Sequence, residues 1–196
     1  FDGLPLPAKE DERNDRKRQR EECLVKAQQL KNEGNIGESW TLLARASTVE
    51  YKHVKDFIRI CQEKNIKYIV AAYEADSQIA FLLKHGYADF AITEDSDLLA
   101  YGCKKVLYKL HLDGSRDEIL LENILESLKL SYGKFLCLCI MAGCDYLPNV
   151  PGIGIHRAKQ MIDCSDDFQS VFLRTILRTI NKSSRKQNWC SCIKQF

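Results

Sequence analysis

The sequence predicts an α/β fold, a parallel sheet flanked by helices, and three observations predict it. Two short apolar runs, residues 66–72 and 88–93, are partly β-branched, and each leads into a helix-like segment, 77–85 and 98–101. A third strand-like run covers 105–110. Finally, both early runs end in a pair of acids, Glu74 with Asp76 and Asp95 with Asp97. Strand, turn and helix repeated in this way build a parallel sheet. Ligands of such sheets bind beyond the carboxyl ends of the strands, so the four acids are expected on one rim.

The chain has 196 residues, of which 45% are apolar. That is enough for one domain of ordinary size, with or without a small appendage. A net charge of +2 excludes a uniformly polybasic binder, so local asymmetry matters more than the total. No apolar run reaches membrane-spanning length, and Phe1-Asp2-Gly3 is no signal peptide. The chain does not begin with Met and is expected to lack its natural start. Nine cysteines with no Cys-x-x-Cys pairing read as free thiols of a reducing compartment, and the four histidines are too scattered for a zinc site.

In order, Phe1-Asp2-Gly3 reads as the exit of a strand, and Pro5 and Pro7 impose an extended stretch. Residues 8–32 read as a long charged helix. Its Arg13, Arg16, Lys17 and Arg20 recur at helical spacing and make one face basic. Two readings stay open there, a solvated helix laced with i,i+4 pairs and a surface that grips phosphates. Asn32-Glu33-Gly34-Asn35 breaks it. A second amphipathic helix puts Trp40, Leu42, Leu43 and Ala46 on its apolar side. Ser47 to Glu50 has capping-box spacing for a third helix, whose Val54, Phe57, Ile58 and Cys61 form a core stripe. After the third strand, Asp113-Gly114 suits a hairpin turn. Helices are expected at 120–130 and 132–141, the second apolar almost all round and therefore buried. It ends at Gly143-Cys144-Asp145-Tyr146-Leu147-Pro148. A glycine-turned hairpin, Pro151-Gly152-Ile153-Gly154, leads into a further helix whose start can meet a phosphate. A last apolar helix spans 168–180.

Four carboxylates on one rim repel each other and need cations or protons. Oxygen donors suit Mg²⁺, and two such ions about 4 Å apart make a centre for phosphoryl displacement. The plainer reading is helix caps and solvated loop charges. Two pairs after two consecutive strands favour the metal site, with Asp145 as a candidate fifth ligand.

Tyr73-Glu74-Ala75-Asp76, Thr93 to Leu99 (Thr-Glu-Asp-Ser-Asp-Leu-Leu) and Gly143 to Pro148 strongly resemble the flap-endonuclease superfamily of structure-specific 5′-nucleases, over residues 1 to about 180. The resemblance implies a PIN-like parallel sheet flanked by helices, with a helical arch insertion and a helix–two-turn–helix DNA-binding motif. It divides the chain into a nuclease core at 1–142, incomplete at its N-terminus, a helix–two-turn–helix region at 143–180 and an unassigned tail at 181–196. The arch is placed at 8–46 and an internal acidic motif at 66–110. Asp2, Glu74, Asp76, Asp95, Asp97 and Asp145 match the acids that hold two Mg²⁺, for which Mn²⁺ can substitute. Asp2 and Glu74 are expected mainly at one ion, Asp95, Asp97 and Asp145 at the other, and Asp76 near both. Glu94 is left structural. Lys9 and Arg16 match arch residues that contact the scissile phosphate, and Arg20 matches a further arch base. Gly152, Gly154, Arg157 and Lys159 are the DNA-binding candidates of the second motif, where backbone oxygens of Asn149 and Ile153 are expected to hold K⁺. The family's first metal-binding Asp lies on an upstream strand missing from this sequence, as are the mobile N-terminus and the DNA-bending wedge.

The implied function is a 5′→3′ exonuclease on double-stranded DNA with 5′-flap endonuclease activity. It would act in nuclear repair, mismatch repair or recombination, as a monomer on 5′ ends, nicks, gaps or flaps, with repair proteins as possible partners and no membrane. The alternatives are a flap endonuclease of replication forks, a non-catalytic DNA-binding fragment, and a PIN-like metal-dependent RNase.

Overall fold

The computed structural model describes residues 1–146, 150–164 and 167–182. They fall into two compact units, Phe1–Tyr73 and a second from Glu74 onward.

In the first unit a 3₁₀ turn, Pro7–Lys9, leads into α1 (Glu10–Asn32), followed by α2 (Ile36–Ala46) and α3 (Tyr51–Glu63). Acids crowd the first turn of α1 (Glu10, Asp11, Glu12), where the helix dipole favours them. Asn35 caps α2 by accepting from the Glu38 N–H. The two helices pack through small residues: buried Ala27 meets buried Ser39, whose hydroxyl donates to the Ala27 carbonyl at 2.8 Å.

Several sequence expectations change here. Trp40 does not pack on the apolar side of α2 but is 68% exposed. The capping box of α3 is not at Ser47. It joins Glu50 to His53, with the Glu50 N–H donating to His53 Nδ1 at 3.0 Å, and Ser47 instead closes α2. The α3 stripe reaches the interior fully at Cys61, whereas Phe57 is exposed and packs its ring edge-on against Phe1.

The run 66–72 is not a regular strand. It does pair with residues 1–4. The Phe1 ammonium donates to the Ile69 carbonyl, and the Ala71 N–H donates back to Phe1, which is the slanted step of a parallel pair. The next bonds, Gly3 to Tyr73 and Leu4 to Ala72, break that register, so no ladder propagates. Phe1-Asp2-Gly3, expected as a strand exit, makes this one parallel step and no regular strand.

The second unit begins with α4 (Ala75–Lys84), β1 (Ala91–Thr93), α5 (Asp97–Ala100) and β2 (Lys105–Tyr108). The expected strand at 88–93 is shortened to its last three residues. β1 and β2 are parallel, with Thr93 opposite Tyr108. β3 (Asp117–Leu120) then adds antiparallel to β2, so the small sheet is mixed. The turn between them is built by Asp113, whose carboxylate accepts from both the N–H and the hydroxyl of Ser115, while Gly114 takes φ 84°.

Beyond the sheet come α6 (Leu121–Leu128), α7 (Tyr132–Ala142), α8 (Ile155–Asp163) and α9 (Phe168–Lys182). Leu98, Val106, Leu121 and Phe135 anchor one core under the sheet. Leu138, Met141, Ala158 and Ile162 form a second, between α7 and α8. α7 therefore serves both cores, as its all-round apolar sequence predicts. No described helix is long and apolar enough to cross a membrane.

Candidate active site

The candidate acids of the second unit lie at or just beyond the ends of elements. Glu74 is the N-cap of α4, and Asp76 lies in its first turn, where a negative charge is favoured. Asp95 and Asp97 follow β1 in a turn held by local bonds. The Asp95 N–H donates to Thr93 Oγ1 at 2.9 Å, and the Asp97 N–H donates to Asp95 Oδ1 at 3.2 Å. Asp97 opens α5, and the next two residues, Leu98 and Leu99, are buried. Apolar burial thereby pins a turn that presents two carboxylates. Asp145 follows α7, which Ser131 caps at its start and Phe135, Leu138 and Met141 fix in the cores.

Tyrosines surround these acids. The Tyr146 hydroxyl donates to Glu74 Oε2 and lies 2.8 Å from the Tyr101 hydroxyl. Burial, and then the bonds to Glu74 and Tyr101, hold the Tyr146 phenol far above its ordinary range, so it stays protonated. The Tyr108 hydroxyl is buried at the end of β2 beside Ser96, without a well-formed hydrogen bond. Burial pushes its phenol up, the Ser96 hydroxyl offsets this in part, and the charges of Asp95 and Asp97 push it up further. Asp97 likewise acts on Cys139, raised to about 11 chiefly by burial. The hydrogen bond from Tyr146 sets Glu74 beside the residue that follows Asp145.

The donor set is all carboxylate, which fits a hard divalent cation such as Mg²⁺ or Mn²⁺. Among the described residues, no group of three or more His, Cys, Asp or Glu is placed so as to hold a metal ion. Asp2 belongs to the first unit, where it is exposed.

The basic residues divide. On α1, Arg16 pairs with Glu12 at 2.8 Å, Arg18 with Asp15 at 3.0 Å, and Arg13 donates to the Leu6 carbonyl. Intrahelical pairing is therefore real. Arg16 and Arg20 nevertheless line a groove of about 530 Å³ with Lys26 and Arg45, and Leu42 and Cys23 contribute apolar wall. Sequence reading missed Lys26 and Arg45, because only the packing of α2 on α1 brings Arg45 to that face. Lys9 ends the 3₁₀ turn and takes the N-cap position of α1.

In the second motif, Gly152 takes φ 76° and Gly154 is the N-cap of α8. Arg157 folds back to donate to the Gly152 carbonyl at 3.2 Å, and Lys159 pairs with Asp163 at 2.6 Å. Ile153 packs against the second core. Asn149, its expected partner at K⁺, lies outside the described residues.

Residues 65–145 match the XPG I-region family. Exonuclease 1 of Xenopus laevis is 39% identical over 173 residues, which are 85% of this chain and 23% of that protein. The structure of flap endonuclease-1 from Methanococcus jannaschii superposes with a TM-score of 0.60 at 25% identity, over 77% of this chain and 47% of that one. Human GEN1 in complex with Holliday junction DNA gives 0.53 at 27% identity, over 72% and 37%. The chain thus spans about a quarter of the exonuclease 1 relative and about half of the flap endonuclease. It is a homologue of exonuclease 1 and of the flap endonucleases, it carries an XPG I-region, and its fold is the PIN-like α/β fold of those nucleases.

Proposed function

We propose that this chain is the core of a metal-dependent, structure-specific DNA nuclease, a 5′→3′ exonuclease with 5′-flap endonuclease activity. The observation that carries the reading is that Glu74, Asp76, Asp95, Asp97 and Asp145 lie at or just beyond the ends of α4, β1, α5 and α7, all within the stretch that matches the XPG I-region. The signature of Ser96 with Tyr101 to Val106 supports the exonuclease 1 branch.

Glu74, Asp76, Asp95, Asp97 and Asp145 are the residues of the second unit that would hold Mg²⁺. When bound, such ions would supply Lewis-acid chemistry for phosphodiester hydrolysis. The chain's own residues do the rest. Lys9, Arg16 and Arg20 offer cationic groups to phosphate oxygens, and the turn at Gly152 with the start of α8 offers backbone N–H groups to a duplex phosphate, beside Arg157 and Lys159. Ile153 and Asn149 would give carbonyl oxygens to K⁺. No protein nucleophile is needed. The substrate is double-stranded DNA at 5′ ends, nicks, gaps or flaps, where unpairing costs least, and the setting is repair in the nucleus by a monomer.

The test is cleavage of a 5′-labelled nicked duplex in Mg²⁺, compared with Asp95→Ala. Cleavage that the substitution abolishes supports the nuclease. Salt-sensitive duplex binding without cleavage replaces it with a DNA-binding module. Preference for flaps over nicks moves the assignment to a flap endonuclease.

A further inference from the structure

We infer that Ser47 is a phosphorylation site, and that its phosphate is held in the cationic groove lined by α1 and α2 and closes that groove to DNA. The inference rests on the reading of this groove as a phosphate surface of the proposed nuclease.

The hydroxyl is open to a modifying enzyme. Ser47 ends α2 in extended backbone, φ −64° and ψ 145°. Residues 47–50 form no regular element and are all exposed, so the linker to α3 runs over the surface, where another protein can reach it. The Ser47 hydroxyl donates to the Ala44 carbonyl at 2.7 Å. Giving up that bond leaves the carbonyl its second donor, the Ser47 N–H at 3.3 Å.

The groove matches the charge that would be added. Ser47 lines it together with Arg16, Arg20, Lys26 and Arg45, and Glu22 is the acid on its wall. Four cations less one acid leave three positive charges, or two if Arg16 is assigned wholly to Glu12, its partner at 2.8 Å. A phosphoserine carries about −1.5 to −2 at neutral pH and three strong acceptor oxygens. The negative end of α2 opposes it with only about half a charge, and Arg45 lies in that same last turn. The cations win. Arginine suits the task, because its planar fork can meet two phosphate oxygens at once. Charges taken up in this way are no longer offered to a DNA backbone.

The co-reactant is a nucleoside triphosphate held by a protein kinase. Ser47 Oγ attacks the γ-phosphorus and a new O–P bond forms. The bond to the bridging oxygen breaks, the nucleoside diphosphate leaves, and the hydroxyl proton passes to the kinase's base.

The full chain is tested in three ways. ATP and an arginine-directed serine kinase should place a phosphate on Ser47, as read by mass spectrometry, and a folded chain left unmodified there overturns the site. Phosphoserine is also installed at position 47 by genetic code expansion and titrated by ³¹P nuclear magnetic resonance. Its midpoint should fall below that in the urea-unfolded chain, about 6, and return toward it in Arg45→Ala. Finally, fluorescence anisotropy with a 5′-flap duplex is followed against salt. Phosphoserine should lower the salt slope by about 2 and weaken binding about 10- to 100-fold, whereas Ser47→Ala should bind as wild type does. A phosphate that titrates as in urea, or flap binding that phosphoserine leaves unchanged, overturns the inference. So does a loss of helix by circular dichroism on phosphorylation, since the phosphate would then act by melting the end of α2. A chain that binds flap duplex in the expected way yet leaves nicked duplex uncut overturns the nuclease and sustains the inference. One that binds no DNA overturns both.

Discussion

Two residues outside the acid set show how tightly local chemistry is specified. A Cβ at Gly3 would lie 1.9 Å from the Ala71 carbonyl oxygen and 2.7 Å from that of Ala72. Backbone, unlike a flexible side chain, cannot swing away, so only glycine allows residues 1–4 to lie against 69–73. Gly3→Ala is expected to detach this pairing. Amide hydrogen exchange at Ala71, whose N–H donates to Phe1, should then rise toward the unprotected rate; protection equal to wild type would refute the close approach. Asp113 is a titration case. Two bonds from Ser115 hold its carboxyl below the usual range. A depressed folded pKa means that its contribution is complete above the unfolded value and is lost as pH falls through the folded one. The hairpin turn is therefore expected to loosen only under acid, below about pH 4. Nuclear magnetic resonance titration of Asp113 should give a midpoint below that of Asp113 in the urea-unfolded chain.

Elements were legible in the sequence where composition and Gly or Asn breakers set their bounds, as at α1, α2, α7 and α8. They were least legible where pairing decides. The run 66–72 has the composition of a strand, yet its neighbour supplies only residues 1–4 and the register breaks at Gly3. Ser47 has capping-box spacing, but Glu50 and His53 hold the box, since both patterns fit the same short linker. The basic face of α1 was legible, whereas its groove was not, because Arg45 comes to that face through the packing of α2 on α1. That groove carries a prediction for the α1–α2 pair. Arg45→Ala and Lys26→Ala should each weaken duplex or flap binding similarly across sequences and lower the salt slope by about 1. Fluorescence anisotropy at several salt concentrations measures this, and an unchanged slope would remove both residues from the phosphate surface.

At the scale of the molecule, the acids of the second unit depend on two cores that share one helix. α7 gives Phe135 to the core under the sheet, and Leu138 and Met141 to the core with α8. The same helix delivers Asp145 and Tyr146, so the candidate site sits on the joint between the cores. The motif Gly-Cys-Asp-Tyr-Leu-Pro made the acid legible but not its neighbour's bond to Glu74, which spans 72 residues of sequence and follows from no local pattern. Shared packing on α7 predicts that the two cores open together. Leu98 and Ile162 are both fully buried, one in each core, and Leu98→Ala or Ile162→Ala should cost about 2–5 kcal/mol. If α7 couples the cores, Ile162→Ala lowers the opening free energy of β2 amides as much as that of α8 amides, and Leu98→Ala does the same in reverse. Native-state hydrogen exchange separates the cases. Loss confined to the substituted core would mean that each folds on its own and that Asp145 and Tyr146 could detach with α8 while Asp95 and Asp97 stayed in place.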